Sequence, residues 1–334
     1  MSTARSTPNI ALIKYWGNRL NELRLPAADS LSMTLNTPSV EVTVDHSDEL
    51  QIESFNADGS IHNLNDKDIS RFEKHLQLTI NYLKHLGADD AIPASVNITI
   101  HSGIPPCVGL ASSAAVFSAM AKAYAGLILD SLELNDEQIS VIARMGSGSA
   151  ARSIFGGFVT LENAEGDSIG SAVAKQIASE NHWKLHDIVV IPSKKEKKVG
   201  STEGHAIANT SPHFAERVEA INSHRQQDCI DAILQKDFEK LQKVSEEDSL
   251  DMHHVMETSE PSLKYLTDDT HRIIDDITEL REGEHLPILY TMDAGPTVHL
   301  ICVEEAKSRV VEFAHAQEGC TIFETTVGSG SHFV

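Results

Sequence analysis

The chain has 334 residues, enough for one large or two medium domains. Apolar residues make up 41% and aromatics only 5%, which provides for a mainly aliphatic core and excludes dominant disorder. Lysine and arginine total 27 against 49 aspartate and glutamate residues, a net charge of −22. That balance disfavours nucleic acid and anionic membranes as partners, but it leaves small phosphorylated ligands open, because local cations and helix N-termini bind those.

Cys107, Cys229, Cys302 and Cys320 form no CxxC pair and fit no zinc spacing. They read as scattered reduced thiols. The opening MSTARSTPN lacks the apolar stretch of a signal peptide, and no apolar run reaches the ~18 residues of a spanning helix. A soluble, cytoplasmic protein is expected.

Residues 9–16 (NIALIKYW) predict a strand leading into a loop. Lys14 is unusual inside an apolar strand. Either it snorkels to the surface or it has a function, which the adjacent Tyr15, Trp16 and Gly17 favour. Alternating stretches at 39–45 and 94–101 predict half-buried strands. Between them Ser70 and Glu73 predict a capping box, followed by a helix through Phe72, Leu76, Ile80 and Leu83 that Gly87 stops.

The Gly/Pro loop at 103–110 opens a helix from Ser112 to about Tyr124. Gly109 permits close backbone approach, and helix amides with two hydroxyls, Ser112 and Ser113, sit at the mouth. This arrangement suits a triphosphate, although a plain helix cap explains one serine. Asn135 and Gln138 predict a second capped helix ending near Gly146. GSGSAARS at 146–153 formally fits GxGxxA, but it follows a helical pattern rather than a strand, so the dinucleotide reading is rejected. Its serines and Arg152 suit an anion, Arg152 being able to grip a carboxylate; a surface turn is the bland alternative.

Strands are predicted at GGFVTL and DIVVI (187–191), with a loop over 193–205. Two or three helices fill 212–283. Strands at ILYTMDAG and VHLICV, a helix near 304–317 and a strand near 320–327 complete the chain. Asp293 ends an apolar strand beside Gly295 and Pro296, placed either to face a cleft or merely to turn the chain. The lysines at 194, 195, 197 and 198 read as a solvated loop. His253 and His254 read as structural or surface residues, with no metal spacing among the 17 histidines. The class is α+β in two lobes, with a boundary near 180–186.

Together these strings resemble the GHMP kinase superfamily, and more closely its mevalonate diphosphate decarboxylase branch. NIALIKYWG, DSLSMTL, GLASSAA, GSGSAARS, GGFV, STEG and MDAGP occur in the family's order. The resemblance implies an ATP-binding, ribosomal protein S5 domain 2-like lobe (1–184) and a ferredoxin-like lobe (185–334). It implies ATP and Mg2+, a small phosphorylated substrate and a possible homodimer.

By resemblance, Asp293 orients or deprotonates a tertiary hydroxyl, and Lys14 favours its charged form. Ser113 orients the ATP phosphates and, with Ser112, forms the magnesium region. Pro105, Gly109, Leu110 and Ala111 complete the nucleotide cradle. Arg152 holds the substrate carboxylate. Tyr15, Asn18, Ser147, Ser149 and Ser201 meet the C5 phosphate region, with Asn9 nearby.

The family's WGK is WGN here, and neutral Asn18 cannot supply the lysine's charge, worth about 1.5–3 kcal/mol. WGNR and GSTEGHAIANTSP look like the phosphomevalonate decarboxylases. His205 stands where many diphosphate enzymes carry methionine, and Ala151 replaces a common cysteine. The leading expectation is therefore decarboxylation of mevalonate 5-phosphate to isopentenyl phosphate. The alternative is the 5-diphosphate, with Asn18 compensated by Arg19 or the lysine loop. A 3-hydroxyl kinase and a non-catalytic nucleotide binder are further alternatives.

Overall fold

The computed structural model describes residues 1–88, 92–104, 112–192 and 200–334. The first half contains β1 (Ser2–Ser6), β2 (Asn9–Ile13), β3 (Asn18–Leu20), β4 (Leu25–Pro26), β5 (Ser30–Thr34), β6 (Val40–His46) and β7 (Gln51–Phe55). Helix α1 (Asp66–His85), β8 (Val96–Ser102), α2 (Ser112–Leu127) and α3 (Asp136–Gly146) follow. A 3-10 segment (Gly148–Ile154), β9 (Phe158–Asn163) and β10 (Ala172–Ala178) complete it.

The second half begins with β11 (His186–Ile191), α4 (Ser201–Ile207) and α5 (Phe214–Ala220). A π-helical turn (Ile221–Arg225) joins α5 to α6 (Gln226–Gln235), and α7 (Phe238–Thr258) and α8 (Asp268–Glu284) come next. The chain ends with β12 (Ile288–Thr291), β13 (Val298–Cys302), α9 (Glu304–His315), β14 (Thr321–Thr326) and β15 (His332–Phe333).

Three principal sheets result, with strand orders β15-β1-β6-β8-β7, β10-β9-β5-β2 and β12-β13-β11-β14. The expected alternation holds in β6 and β8, whose inward residues are buried and whose intervening ones are half-exposed. They pair antiparallel from Val40 opposite Ser102 to His46 opposite Val96. By contrast β2, β5 and β11 bury every residue, because both faces are covered. Helices α6 and α7 of the second half pack on β2.

Some local expectations are corrected. Helix α1 starts a turn before the predicted box. Asn65 accepts from the amides of Lys67 and Asp68, while the Asp68 carboxylate accepts from the Asn65 amide, so Ser70 lies inside the helix. The Asn135–Gln138 box forms as expected. Residues 201–205, expected as loop, are the first part of α4. GSGSAARS is a 3-10 segment from Gly148 rather than an open turn.

The largest aliphatic cluster crosses both halves. Leu12, Ile98, Phe117 and Ile142 belong to the same core as Leu185, Val189, Ile221, Leu241 and Ile301. A second cluster, including Ile188, Ile277, Leu300 and Val310, lies under α8 and α9. Cys229, Cys302 and Cys320 are free thiols, and Cys107 lies outside the described residues. Among the described residues no helix is long and apolar enough to cross a membrane.

Candidate active site

One cleft gathers most of the residues singled out in the sequence. Asn9, Lys14, Tyr15, Ser113, Ser147, Ser149, Arg152, Ser201 and Asp293 all line it.

Lys14 follows β2 directly and is only 1% exposed, so it does not snorkel. Its Nζ donates to Asp293 Oδ1 at 2.9 Å. Asp293 follows β12, as the sequence suggested, and its carbonyl accepts from Gly295 at 2.7 Å to close the turn. About a third of the Asp293 side chain (34%) stays open to the cleft. Burial by itself would raise its carboxyl pKa. Lys14, His299 and Arg152 overcome that and hold it below the ordinary carboxylate value. Burial lowers the Lys14 ammonium, against the pull of Asp293 and Asp248.

Arg152 reaches in from the 3-10 segment. Its Nη1 donates to Ser30 Oγ at 2.6 Å and its Nη2 to Asn9 Oδ1 at 3.3 Å. Asn9 is in turn fixed by donating to the Ser149 carbonyl at 2.9 Å and Ser153 Oγ at 2.8 Å. Burial lowers the guanidinium pKa to about 10, so it stays charged near neutrality. Neutral oxygens orient it, and no described carboxylate forms an ion pair with it. A buried cation held in this way suits an incoming carboxylate.

Three hydroxyls line the adjacent wall. Ser113, in the first turn of α2, lies 3.1 Å from Ser147 Oγ, which lies 3.3 Å from Ser149 Oγ. The Tyr15 ring packs onto Gly148, where a Cβ would sit 2.0 Å from the ring, so the close approach requires glycine. Gly17, at φ +93°, lets the chain reverse under Phe214. Its amide donates to His205 Nδ1 at 3.0 Å. The His205 ring lies 4.5 Å from both Tyr15 and Trp16. Burial and then Arg24, Arg152 and Arg217 lower its pKa to about 3. The ring is therefore neutral, with its hydrogen on Nε2.

Other expectations fall elsewhere. Asn18 does not line the cleft, because its carbonyl accepts from the Tyr15 hydroxyl and its amide donates to Asn21. Arg19 cannot compensate for it. Its guanidinium is spent on Asn163, on the carbonyls of Pro26, Ala164 and Gly166, and on Asp167. Ser112 is exposed and does not line the cleft. Pro105, Gly109, Leu110, Ala111 and the lysines at 194, 195, 197 and 198 lie outside the described residues.

Several functional candidates were not found in the sequence. Arg24 and Arg71 line the cleft, and His205 was noticed only as a departure. Arg71 sits on α1 far upstream, and nothing in its local pattern separates it from a solvated helical arginine. Asp248, buried in α7, accepts the Lys14 amide at 2.6 Å.

Among the described residues no group of three His, Cys, Asp or Glu side chains could hold a metal, and Asp293 is the one carboxylate lining the cleft. This donor set suits a magnesium ion that arrives on nucleotide phosphates, with Ser113 at hand, rather than an all-protein metal cage.

Known proteins resemble this chain in sequence and in fold. Residues 6–172 match the diphosphomevalonate decarboxylase-like N-terminal domain, and residues 187–328 match the mevalonate 5-diphosphate decarboxylase C-terminal domain. The diphosphomevalonate decarboxylase of Debaryomyces hansenii is 33% identical over 93% of this chain and 81% of its own length. That of Saccharomyces cerevisiae is 33% identical over 92% and 79%. The chain belongs to the diphosphomevalonate decarboxylase family.

The family's carboxy-lyase class and two-lobed GHMP kinase fold come with that membership. The mevalonate diphosphate decarboxylase of Staphylococcus aureus superposes with a TM-score of 0.86 at 30% identity, covering 100% of this chain and 97% of that one. MDDEF, solved with MVAPP, AMPPCP and magnesium, superposes at 0.85 with 27% identity, covering 100% and 98%.

Proposed function

We propose that the chain catalyses the ATP-dependent decarboxylation of mevalonate 5-diphosphate to isopentenyl diphosphate, CO2, ADP and phosphate. The observation that carries the reading is the Lys14–Asp293 pair, 2.9 Å apart at the cleft, with Arg152 beside it. The names of the relatives support the diphosphate, and so do two arginines in the cleft, Arg24 and Arg71.

In this mechanism Asp293 accepts the proton of the substrate's tertiary 3-hydroxyl, or orients it, while the oxygen takes the terminal phosphoryl group of ATP. Lys14 keeps Asp293 ionised and offers positive charge to the phosphoryl group in transfer. Ser113 orients the nucleotide phosphates. With Ser113 at hand, a magnesium ion bound with the nucleotide would supply positive charge against the developing phosphate charge. The C3–O bond then breaks, and phosphate leaves with the electron pair. The C1–C2 bond electrons form the C2=C3 alkene, and CO2 departs. Arg152 holds the carboxylate until that step, its fork fixed by Ser30 and Asn9.

A second reading, decarboxylation of mevalonate 5-phosphate, rests on Asn18, a neutral residue committed to Tyr15. One side-by-side assay separates the two. The protein, ATP and Mg2+ are given each substrate in turn, and CO2 and ADP are followed. Preference for the diphosphate supports the main reading. Preference for the monophosphate replaces it with the second, and turnover of neither defeats both.

A further inference from the structure

Asn18 opens β3 and pairs with Pro26 of β4, while Arg24 ends the turn that joins the two strands. Both surround the Tyr15 hydroxyl, which donates to Asn18 Oδ1 and lies 3.4 Å from the Arg24 carbonyl oxygen. Asn18 turns away from the cleft, whereas Arg24 lines it. The Arg24 backbone has φ +49°, a left-handed conformation uncommon for a side chain of this size. Its Nε is tethered to the Met145 carbonyl at 3.2 Å. Its terminal nitrogens make no hydrogen bond or ion pair with a described residue.

Arg71 stands nearby. It spends Nε and Nη2 on the Gly146 carbonyl, at 2.9 and 2.8 Å, and its guanidinium lies over the Phe117 ring at 4.6 Å. Burial and then Arg24 lower its pKa to about 10. The two guanidinia are thus tethered to consecutive carbonyls at the end of α3, repel one another, and form no ion pair with a described carboxylate. An anion carrying more than one charge relieves that repulsion.

We infer that Arg24 is the specificity-determining cation of the cleft. Its guanidinium fork receives the terminal phosphate of the substrate's C5 group. It supplies from the turn of the hairpin the charge that Asn18 does not supply from the first strand. The inference rests on the C5 phosphoester reading above.

The test compares wild type with Arg24→Gln, Arg24→Lys and the double variant Arg24→Gln/Asn18→Lys. Arg24→Gln is expected to raise KM for the C5 phosphoester about ten- to a hundredfold, the range for losing one charge-assisted contact. KM for ATP and the thermal midpoint should stay near wild type. Arg24→Lys should lie between the two, and Asn18→Lys should recover affinity in the Gln background. An unchanged KM for the phosphoester, or an equal rise for ATP, overturns the inference. The wild-type choice between mono- and diphosphate judges the substrate reading independently. If wild type turns over neither, calorimetric titration with inorganic pyrophosphate still decides: weaker binding by Arg24→Gln supports the role, and equal binding overturns it.

Discussion

The backbone amide of Lys14 donates to Asp248 Oδ2 at 2.6 Å. Asp248 lies on α7 and is fully buried. Arg217 closes the clamp, donating to the Lys14 carbonyl and to both Asp248 oxygens, all at 3.0 Å. The peptide groups flanking Lys14 are therefore held from the second half of the chain, and this fixes where its ammonium meets Asp293. Removing Asp248 leaves the buried Arg217 charge unpaired. Asp248→Ala should cost about 3–5 kcal/mol in denaturant unfolding. The double variant Arg217→Met/Asp248→Leu should regain part of that stability yet keep a lowered kcat. Full recovery of kcat would assign the pair to stability alone.

Asp293→Asn preserves shape and removes the carboxylate of the proposed base. We expect kcat to fall about 100- to 10,000-fold while both substrates still bind. Stopped-flow and equilibrium binding measurements check the two halves separately. Near-normal turnover would remove Asp293 from the proton transfer.

The alkaline limb of the kcat profile should belong to Lys14. Burial lowers its pKa below 10.5, so its charge is lost earlier than that of a solvated lysine as pH rises. Lys14→Arg, whose guanidinium keeps its proton, should abolish that limb in whatever activity remains. His205, at about 3, should give no inflection near pH 6.5. An inflection there that His205→Gln removes would contradict the neutral ring.

Acid should destabilise the fold through buried neutral histidines. Burial lowers His75 to about 4 and His205 and His253 to about 3, each from 6.5. Below 6.5 the unfolded chain binds protons that the folded one refuses. Stability is thus full above that pH and is lost as pH falls toward 3. Thermal midpoints should decline from pH 7 to pH 4, with uptake of about three protons on unfolding. His75→Gln should flatten the slope, and a slope it leaves unchanged would place the effect in carboxylates.

Most of the frame was legible because its signals are local. Alternation marked β6 and β8, and the Asn135–Gln138 box marked α3. The strand ending at Asp293 was visible as an apolar run stopped by Gly295 and Pro296. The lysine within NIALIKYW stood out for its polarity, and the structure pairs it with Asp293. What stayed hidden depends on partners distant in the chain. Asp248 and Arg217 look like ordinary charged helix residues until they close on Lys14. Asn18 reads as a lost charge until its carbonyl is seen holding Tyr15. Arg24 and Arg71 become one feature only when the hairpin and α1 meet at the end of α3.

The aliphatic cluster that runs from Leu12 and Ile142 into Val189, Ile221 and Leu241 bears on how the molecule comes apart. Two lobes joined by a thin hinge would melt separately, the weaker first. Here neither half can expose its share of that core without stripping the other. Heating should therefore give one calorimetric peak whose measured enthalpy equals the van't Hoff value. The candidate cleft, walled by strands rooted in the shared core, would then stay assembled until the whole chain melts.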